Sequence, residues 1–131
     1  MAKKSYKRLG ERELEILNTV WELGEASVSA VRSILLTRGP IAYTTVMTTM
    51  RKLADKGYLT FSENEKHYVY RPLKSRTEVR MGLLSDLISS AFKGSSLSLV
   101  QTLVSEADIS DEEMREIKKV IDRLDESEDL S

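Results

Sequence analysis

The sequence predicts a mainly α-helical chain with one small β-hairpin, and three observations support this class. Apolar residues recur at spacings of three and four along three early segments, as on the buried face of a helix. Two short segments on either side of Glu63-Asn64-Glu65 then alternate in the manner of strands joined by a tight turn. Beyond residue 76, the chain returns to helical apolar spacing.

The first two helices have recognisable start and stop signals. We expect the first over residues 11–23, ended by Gly24, and the second over residues 28–37, with Ser27 as its N-cap. The predicted buried face of the first helix consists of Leu14, Leu17, Val20 and Trp21.

The third helix, expected over residues 42–56, has two unlike faces. One carries apolar residues at helical spacing, and the other has no acidic residue before Asp55. Threonine hydroxyls and methyls can meet base edges in a DNA major groove, and cations can meet phosphates. An ordinary amphipathic helix with a threonine-rich exterior is an equally open interpretation. The candidate DNA-contacting residues of this helix are Tyr43, Thr44, Thr45, Met47, Thr48, Arg51 and Lys52.

The hairpin strands are expected over residues 58–63 and 66–71. Lys66, His67 and Tyr68 are candidate DNA contacts at its tip, although two nearby glutamates limit the positive charge there. Three helices followed by a hairpin is the order of a winged helix-turn-helix domain, in which the third helix enters the major groove. We assign residues 1–75 to this DNA-binding domain, with residues 1–8 as a frayed basic arm.

Residues 76–125 are expected to form a helical dimerisation domain. An acidic tail follows at residues 126–131, and we expect disorder from Asp125 onward. The apolar faces here are broader than one chain easily covers, which favours pairing with a second copy over folding back on the first domain. Ser110 begins a capping box for the last helix. The expected dimerisation residues are Leu83, Leu84, Leu87, Ile88, Leu99, Leu103, Met114, Ile117, Ile121 and Leu124.

Charge and composition narrow the classes of function. Residues 1–75 carry a net charge of +5 and residues 76–131 a net charge of −6, so only the first part is expected to meet a polyanion. With no cysteine, a single histidine and no glycine-rich phosphate loop, we expect no metal site, no cofactor and no enzyme activity. No membrane-length apolar run or secretory signal is evident, so a cytoplasmic location is expected.

From about Leu9 to Leu124, the chain resembles the penicillinase-repressor family of bacterial transcriptional regulators, the BlaI/MecI/CopY type. The order and spacing of several motifs carry the resemblance. These motifs are ELEIL at 13–17 followed by Val20-Trp21, YTTVMT at 43–48, LADKGYL at 53–59, YVY at 68–70, and Phe92-Lys93-Gly94 through Ser98-Leu99-Val100.

The resemblance implies homodimers formed through the C-terminal helices and repression by binding of operator palindromes. In antibiotic-responsive members, a membrane-bound sensor protease triggers cleavage of an Asn-Phe bond, which aligns here with Thr102-Leu103. The copper-responsive branch carries C-terminal cysteines, which this chain lacks. The family's usual N-cap serine of the third helix is Ala42 here, which predicts a weaker cap.

The predicted function is therefore a homodimeric transcriptional repressor of a palindromic operator, with proteolysis at Thr102-Leu103 as a candidate means of release. Its expected partners are double-stranded DNA, a second copy and an upstream membrane sensor protease. Two alternatives stay open. One is a winged-helix protein-interaction adaptor. The other is a regulator that senses a ligand directly, which the lack of cysteine and of an obvious polar pocket disfavours.

Overall fold

The elements follow the predicted order of helices and hairpin. In the computed structural model, which describes residues 8–106 and 108–129, they are α1 (Glu11–Leu23), α2 (Val28–Leu35), α3 (Tyr43–Asp55), β1 (Leu59–Asn64), β2 (His67–Pro72), α4 (Arg76–Ser90), α5 (Ser96–Glu106) and α6 (Asp111–Asp129). The chain divides into one unit up to Asp86 and a second from Leu87. The predicted functional division after residue 75 stays a prediction. Of the predicted basic arm at residues 1–8, residues 1–7 lie outside the described residues.

The first unit has a continuous apolar core to which α1, α2, α3 and the hairpin all contribute. On α1, Leu17 and Val20 are fully buried as predicted, and Ile16 is buried with them. Leu14 and Trp21 are only half-buried, because the face of α1 toward the core is centred nearer Ile16. The half-buried position of Trp21 lets its indole Nε1 donate to the carbonyl of Lys74 at 3.0 Å.

The predicted helix ends are confirmed in most cases. Gly24 ends α1 with a positive φ of 84°, and Ser27 Oγ accepts the N–H of Ala30 at 3.1 Å at the start of α2. That helix ends at Leu35, two residues earlier than expected. The N–H groups of Thr37 and Arg38 bond carbonyls three residues back there, which tightens the chain out of α geometry.

The turn of the hairpin lies further along the chain than predicted. Asn64 pairs with His67, so the turn residues are Glu65 and Lys66 rather than Glu63-Asn64-Glu65. Both have positive φ, 47° and 73°. A two-residue turn with two positive φ angles matches the twist of the flanking strands, and the strand register places it here despite the lack of glycine. The prediction of the turn position was therefore wrong.

The second unit contains the end of α4 together with α5 and α6. Ser110 Oγ accepts the N–H of Glu113 at 3.1 Å, which confirms one half of the predicted capping box. Helix α6 continues to Asp129, so the expected disorder from Asp125 is wrong for residues 125–129. No glycine or proline interrupts this segment, and nothing in its backbone stops the helix. Leu130 and Ser131 lie outside the described residues.

The described part of the second unit has no buried residue in the single chain. Its most exposed apolar side chains lie on all three helical segments. They are Leu87, Leu97, Val100, Leu103, Val104, Val120, Ile121 and Leu124, each at least 45% exposed. Among the described helices, none has the length and apolar character required to cross a membrane.

Candidate nucleic-acid interface

Helix α3 has a buried face that fixes its orientation in the first unit. Val46, Met50 and Leu53 are completely buried, as the apolar spacing predicted. Thr49 also turns inward, and its Oγ1 donates to the carbonyl of Thr45 at 2.7 Å. At the N-terminus, Ala42 provides no side-chain cap, as predicted from the absence of serine there.

The end of α3 is closed by a glycine motif. The N–H of Gly57 bonds the carbonyl of Ala54 at 3.0 Å, and the N–H of Tyr58 bonds the carbonyl of Leu53 at 2.9 Å. This pair of bonds is the Schellman motif, and it requires the positive φ of 87° at Gly57. The motif directs the fully buried Tyr58 back toward the core.

The outward side of α3 divides into two stripes. Thr44, Thr48 and Lys52, spaced four residues apart, are exposed, and Thr45 lies beside them. These four residues line a shallow depression of about 310 Å³ together with Thr49. Tyr43, Met47 and Arg51 form the second stripe and face a deeper cleft.

This cleft, of about 370 Å³, lies between α3, the hairpin and the start of α2. It joins the second stripe of α3 to the predicted hairpin contacts, so the structure brings six of the candidate residues together. Met47 is half-buried against the core and forms part of the wall. The cleft is lined by Ser27, Val28, Ser29, Tyr43, Met47, Arg51, Lys66, His67, Tyr68 and Tyr70.

An aromatic cluster supports the hairpin side of the cleft. Phe61 lies 5.4 Å from Tyr68, with the rings nearly perpendicular, and 5.4 Å from Tyr70. Edge-to-face packing of this kind stabilises ring orientation beyond the area that it buries. Phe61 and Tyr70 were not among the predicted site residues, because they lie opposite each other only in the observed strand register, which the sequence did not predict.

The hairpin is also fixed at its base. Ala26, in the loop between α1 and α2, exchanges two backbone hydrogen bonds with Tyr70, at 2.9 and 2.8 Å. Three backbone segments therefore meet beside the cleft, and the hairpin cannot swing independently of the helices without breaking these bonds.

The cations on the outer side of α3 and on the hairpin are available for an external anion. Arg51, Lys52 and Lys66 are exposed, and among the described residues no salt bridge engages them. A surface that keeps its cations unpaired and its carboxylates elsewhere favours phosphate contact. The glutamates at the hairpin tip are the exception, as the sequence indicated.

Lys56 has a different role from its basic neighbours. Its Nζ donates to Glu13 Oε1 at 2.8 Å and to the carbonyl of Arg8 at 2.7 Å, which joins the end of α3 to the start of α1. Burial raises the pKa of Glu13, but the hydrogen bonds from Lys56 and Gly10 and the charges of Lys56 and Lys52 outweigh it, so the net pKa is lowered.

The predicted dimerisation residues occupy both units. Leu83 packs partly against the core of the first unit. Leu84 is 42% exposed, while Ile88, Leu99, Met114 and Ile117 are half-buried. The predicted cleavage bond, Thr102-Leu103, lies within α5, and both residues are exposed.

The first unit thus contains α1, α2 and α3, a hairpin attached to the loop before α2, and the first part of α4, and one side of α3 is free. These features define a winged-helix protein, and the predicted fold class is confirmed. The same fold is found in a solved structure of hsRosR-S4 in a complex. The match has a TM-score of 0.54 and 16% sequence identity, and it covers 96% of this chain and 96% of that one.

The penicillinase repressor family model matches residues 9–123, and the chain belongs to this family. The transcriptional regulator BlaI of Mycobacterium tuberculosis H37Rv is 33% identical over 85 residues, which cover 64% of this chain and 62% of that protein. The methicillin resistance regulatory protein MecI of Staphylococcus aureus N315 is 23% identical over 123 residues, which cover 94% of this chain and 99% of MecI.

Proposed function

We propose that this chain is a transcriptional repressor that binds operator DNA as a homodimer, with α3 in the major groove. The observation that carries the proposal is the free side of α3, where Thr44, Thr45 and Thr48 are exposed and no acidic side chain precedes Asp55. The regulatory names of the relatives in the same family support it.

In this proposal the two stripes of α3 have different tasks. The threonine stripe offers methyls and hydroxyls to base edges, which is direct readout. Arg51 and Lys52 near the end of the helix, and Lys66 on the hairpin, hold phosphates and set the register. His67, Tyr43 and Tyr68 contact the groove wall or backbone from the cleft, whose geometry the aromatic cluster maintains.

The second unit supplies the reason for pairing. Its described residues include no buried side chain, yet its helices expose a series of leucines, isoleucines and valines. A second copy provides matching surfaces related by twofold symmetry, which suits an operator palindrome. We assign this interface to the predicted dimerisation residues within residues 76–125, from Leu83 onward, and the resemblance to the family implies the same arrangement.

Pairing changes the affinity for DNA strongly. If one domain binds a half-site at roughly 10⁻⁵ M, tethering two domains at an effective concentration of about 1 mM gives roughly 10⁻⁷ M. Loss of the dimer therefore releases the operator without any change in α3. Cleavage at Thr102-Leu103 is one proposed means of losing the dimer. Because this bond lies within α5, the helix must open locally before a protease can cut it.

A binding-site selection from random duplex DNA tests the proposal, with Thr48→Ala as the variant and Thr77→Ala, an exposed threonine of α4, as its control. The wild type and the control should select the same palindrome. Thr48→Ala should lose discrimination at one base pair of each half-site by roughly tenfold, with an unchanged salt dependence, because no charge is removed.

Two results contradict the proposal. An unchanged preference at every base pair for Thr48→Ala removes the threonine stripe from base readout. Failure of the wild type to enrich any duplex favours the alternative of a winged-helix adaptor that binds protein.

A further inference from the structure

A charged groove of about 530 Å³ lies on the first unit, and none of the candidate DNA-binding residues lines it. One wall is a face of α1 and the other is formed by α4 and the segment after α2. The lining residues are Glu11, Leu14, Glu15, Asn18, Glu22, Arg38, Arg76 and Arg80.

The two walls carry opposite charge. Glu11, Glu15 and Glu22 lie on one face of α1, at spacings of four and seven residues that correspond to one and two helical turns. Arg76 and Arg80 are one turn apart on α4, and Arg38 adds a third guanidinium. The fold brings these walls together from segments that are far apart in the sequence, which is why the sequence offered no obvious polar pocket.

The opposite charges do not neutralise one another across the groove. Within residues 8–106 and 108–129, no salt bridge joins any of the three arginines to these glutamates. Glu15 pairs instead with Arg12 on its own helix, at 3.0 Å. Glu22 lies in the last turn of α1, which contains no basic residue and where the helix dipole disfavours a negative charge.

Arg76 carries the clearest sign of a missing partner. Its Nε is buried, and none of the described residues accepts a hydrogen bond from it. Its guanidinium lies over the Trp21 ring, 5.8 Å from the ring centroid, within the range of a cation–π interaction. The buried Nε cannot itself reach a ligand in the groove, but Arg76 also lines the groove, where an oxyanion can accept hydrogen bonds from its terminal N–H groups.

We propose that this groove binds a small zwitterion, either a free amino acid or a short peptide, with its carboxylate at Arg76 and Arg80 and its ammonium toward Glu22. A multiply charged anion such as a phosphate ester suits the arginines but is repelled by the facing carboxylates. A ligand with both charges satisfies both walls. The volume lies within the usual range for small-molecule sites, roughly 300–1,000 Å³.

The site does not depend on DNA binding, but it gives the alternative of a direct ligand sensor a definite location. Arg76 and Arg80 belong to the first turns of α4, the helix in which the first unit ends. A ligand that bridges α1 and α4 restrains the start of that helix within the first unit.

Trp21 provides the readout, because it is the only tryptophan in the sequence and Arg76 lies over its ring. The full-length protein is titrated with glycine, diglycine, triglycine and tetraglycine while the Trp21 fluorescence is recorded. For the peptide of matching length, we expect a saturable change with a dissociation constant on the order of 1 mM, as ligand-efficiency limits allow for so few atoms. The same peptide with an acetylated amine or an amidated carboxylate should bind at least about tenfold more weakly.

The variants Arg80→Gln and Glu22→Gln should each weaken binding of that peptide by roughly tenfold. Both side chains are exposed, so these changes should not prevent folding. Arg115→Gln, an exposed arginine of α6, is the matched control and should bind as the wild type does.

Three results overturn the proposal. The first is no saturable change with any of the four probes. The second is equal affinity for the acetylated peptide, which indicates a simple anion site. The third is unchanged peptide binding by Arg80→Gln; if its sedimentation coefficient is also altered, the groove is an interface between copies.

Discussion

At the scale of single residues, Thr19 and Thr49 show how one residue type serves two purposes. Both are buried in the first unit, and each hydroxyl donates to a carbonyl four residues earlier, at 2.9 and 2.7 Å. A threonine that bonds its own helix in this way can enter an apolar core. The other threonines of α3 lack this role and are exposed. Thr49 differs from them because it falls next to the buried stripe of Val46, Met50 and Leu53.

The contact proposed for Arg51 is with phosphate and not with a base. Arg51→Ala should therefore weaken binding to all duplexes alike and reduce the slope of log affinity against log salt by about one unit per half-site bound. The measurement is fluorescence anisotropy over a salt series. Arg115→Ala, on exposed α6, should keep the wild-type slope, and an unchanged slope in Arg51→Ala removes this residue from the phosphate contacts.

The bond between Glu13 and Lys56 predicts a pH-dependent contribution to stability. Glu13 is 15% and Lys56 29% exposed, so we expect Glu13→Gln to lower the free energy of unfolding at neutral pH by about 1 kcal/mol. Because the pKa of Glu13 is lowered on folding, this stability is complete above the unfolded pKa of about 4.3 and is lost as the pH falls through the folded value.

Urea unfolding at several pH values measures this dependence. The difference between wild type and Glu13→Gln should be constant from neutral pH down to about pH 5 and should shrink below the unfolded pKa. Glu116→Gln, in an exposed pair with Lys119 on α6, is the control and should change little. A difference that persists unchanged in acid contradicts this assignment.

At the scale of elements, the backbone at helix and strand ends decided which predictions were correct. Capping residues act within one turn of the chain, so Gly24, Ser27 and Ser110 could be assigned from sequence alone. The hairpin turn could not, because the register depends on how both strands pack and the turn lacks glycine. The position of Ile16 at the core likewise depends on what α1 packs against.

The Schellman motif at the end of α3 gives a prediction about the stability of the protein. Gly57→Ala should lower the free energy of unfolding by about 1 kcal/mol, because φ there is +87° and only the backbone conformation, not a steric contact, opposes a side chain. Gly57→Asn should cost less, since asparagine tolerates this conformation. Equal stability of all three proteins in urea unfolding excludes a requirement for glycine here.

At the scale of the whole molecule, the sequence predicted the order of elements and the free side of α3 because both follow from local periodicity. It did not predict the cleft or the charged groove, since each needs segments from three parts of the chain. The cleft unites Tyr43 with His67, and the groove unites Glu22 with Arg80. The residues of the cleft and of the groove are far apart in the sequence and come together only in the folded structure.

The exposed apolar side chains of the second unit predict self-association. Leu87→Asp should convert a dimer into a monomer in sedimentation velocity, because a buried carboxylate without a partner is costly at an interface. Leu36→Asp is the control. Leu36 is 44% exposed in the first unit and Leu87 is 45% exposed, so both changes place a charge at an equally accessible leucine. A dimer that survives Leu87→Asp and dissociates with Leu36→Asp places the interface on the other unit.

The central claim is that two copies must pair before α3 binds its operator tightly. The most direct measurement is an anisotropy titration of one palindromic duplex with wild type, Leu87→Asp and Leu36→Asp at the same salt concentration. We expect Leu87→Asp to bind roughly a hundredfold more weakly than the wild type, near the affinity of a single half-site, and Leu36→Asp to match the wild type. A monomeric Leu87→Asp that binds the palindrome as tightly as the wild type contradicts the account.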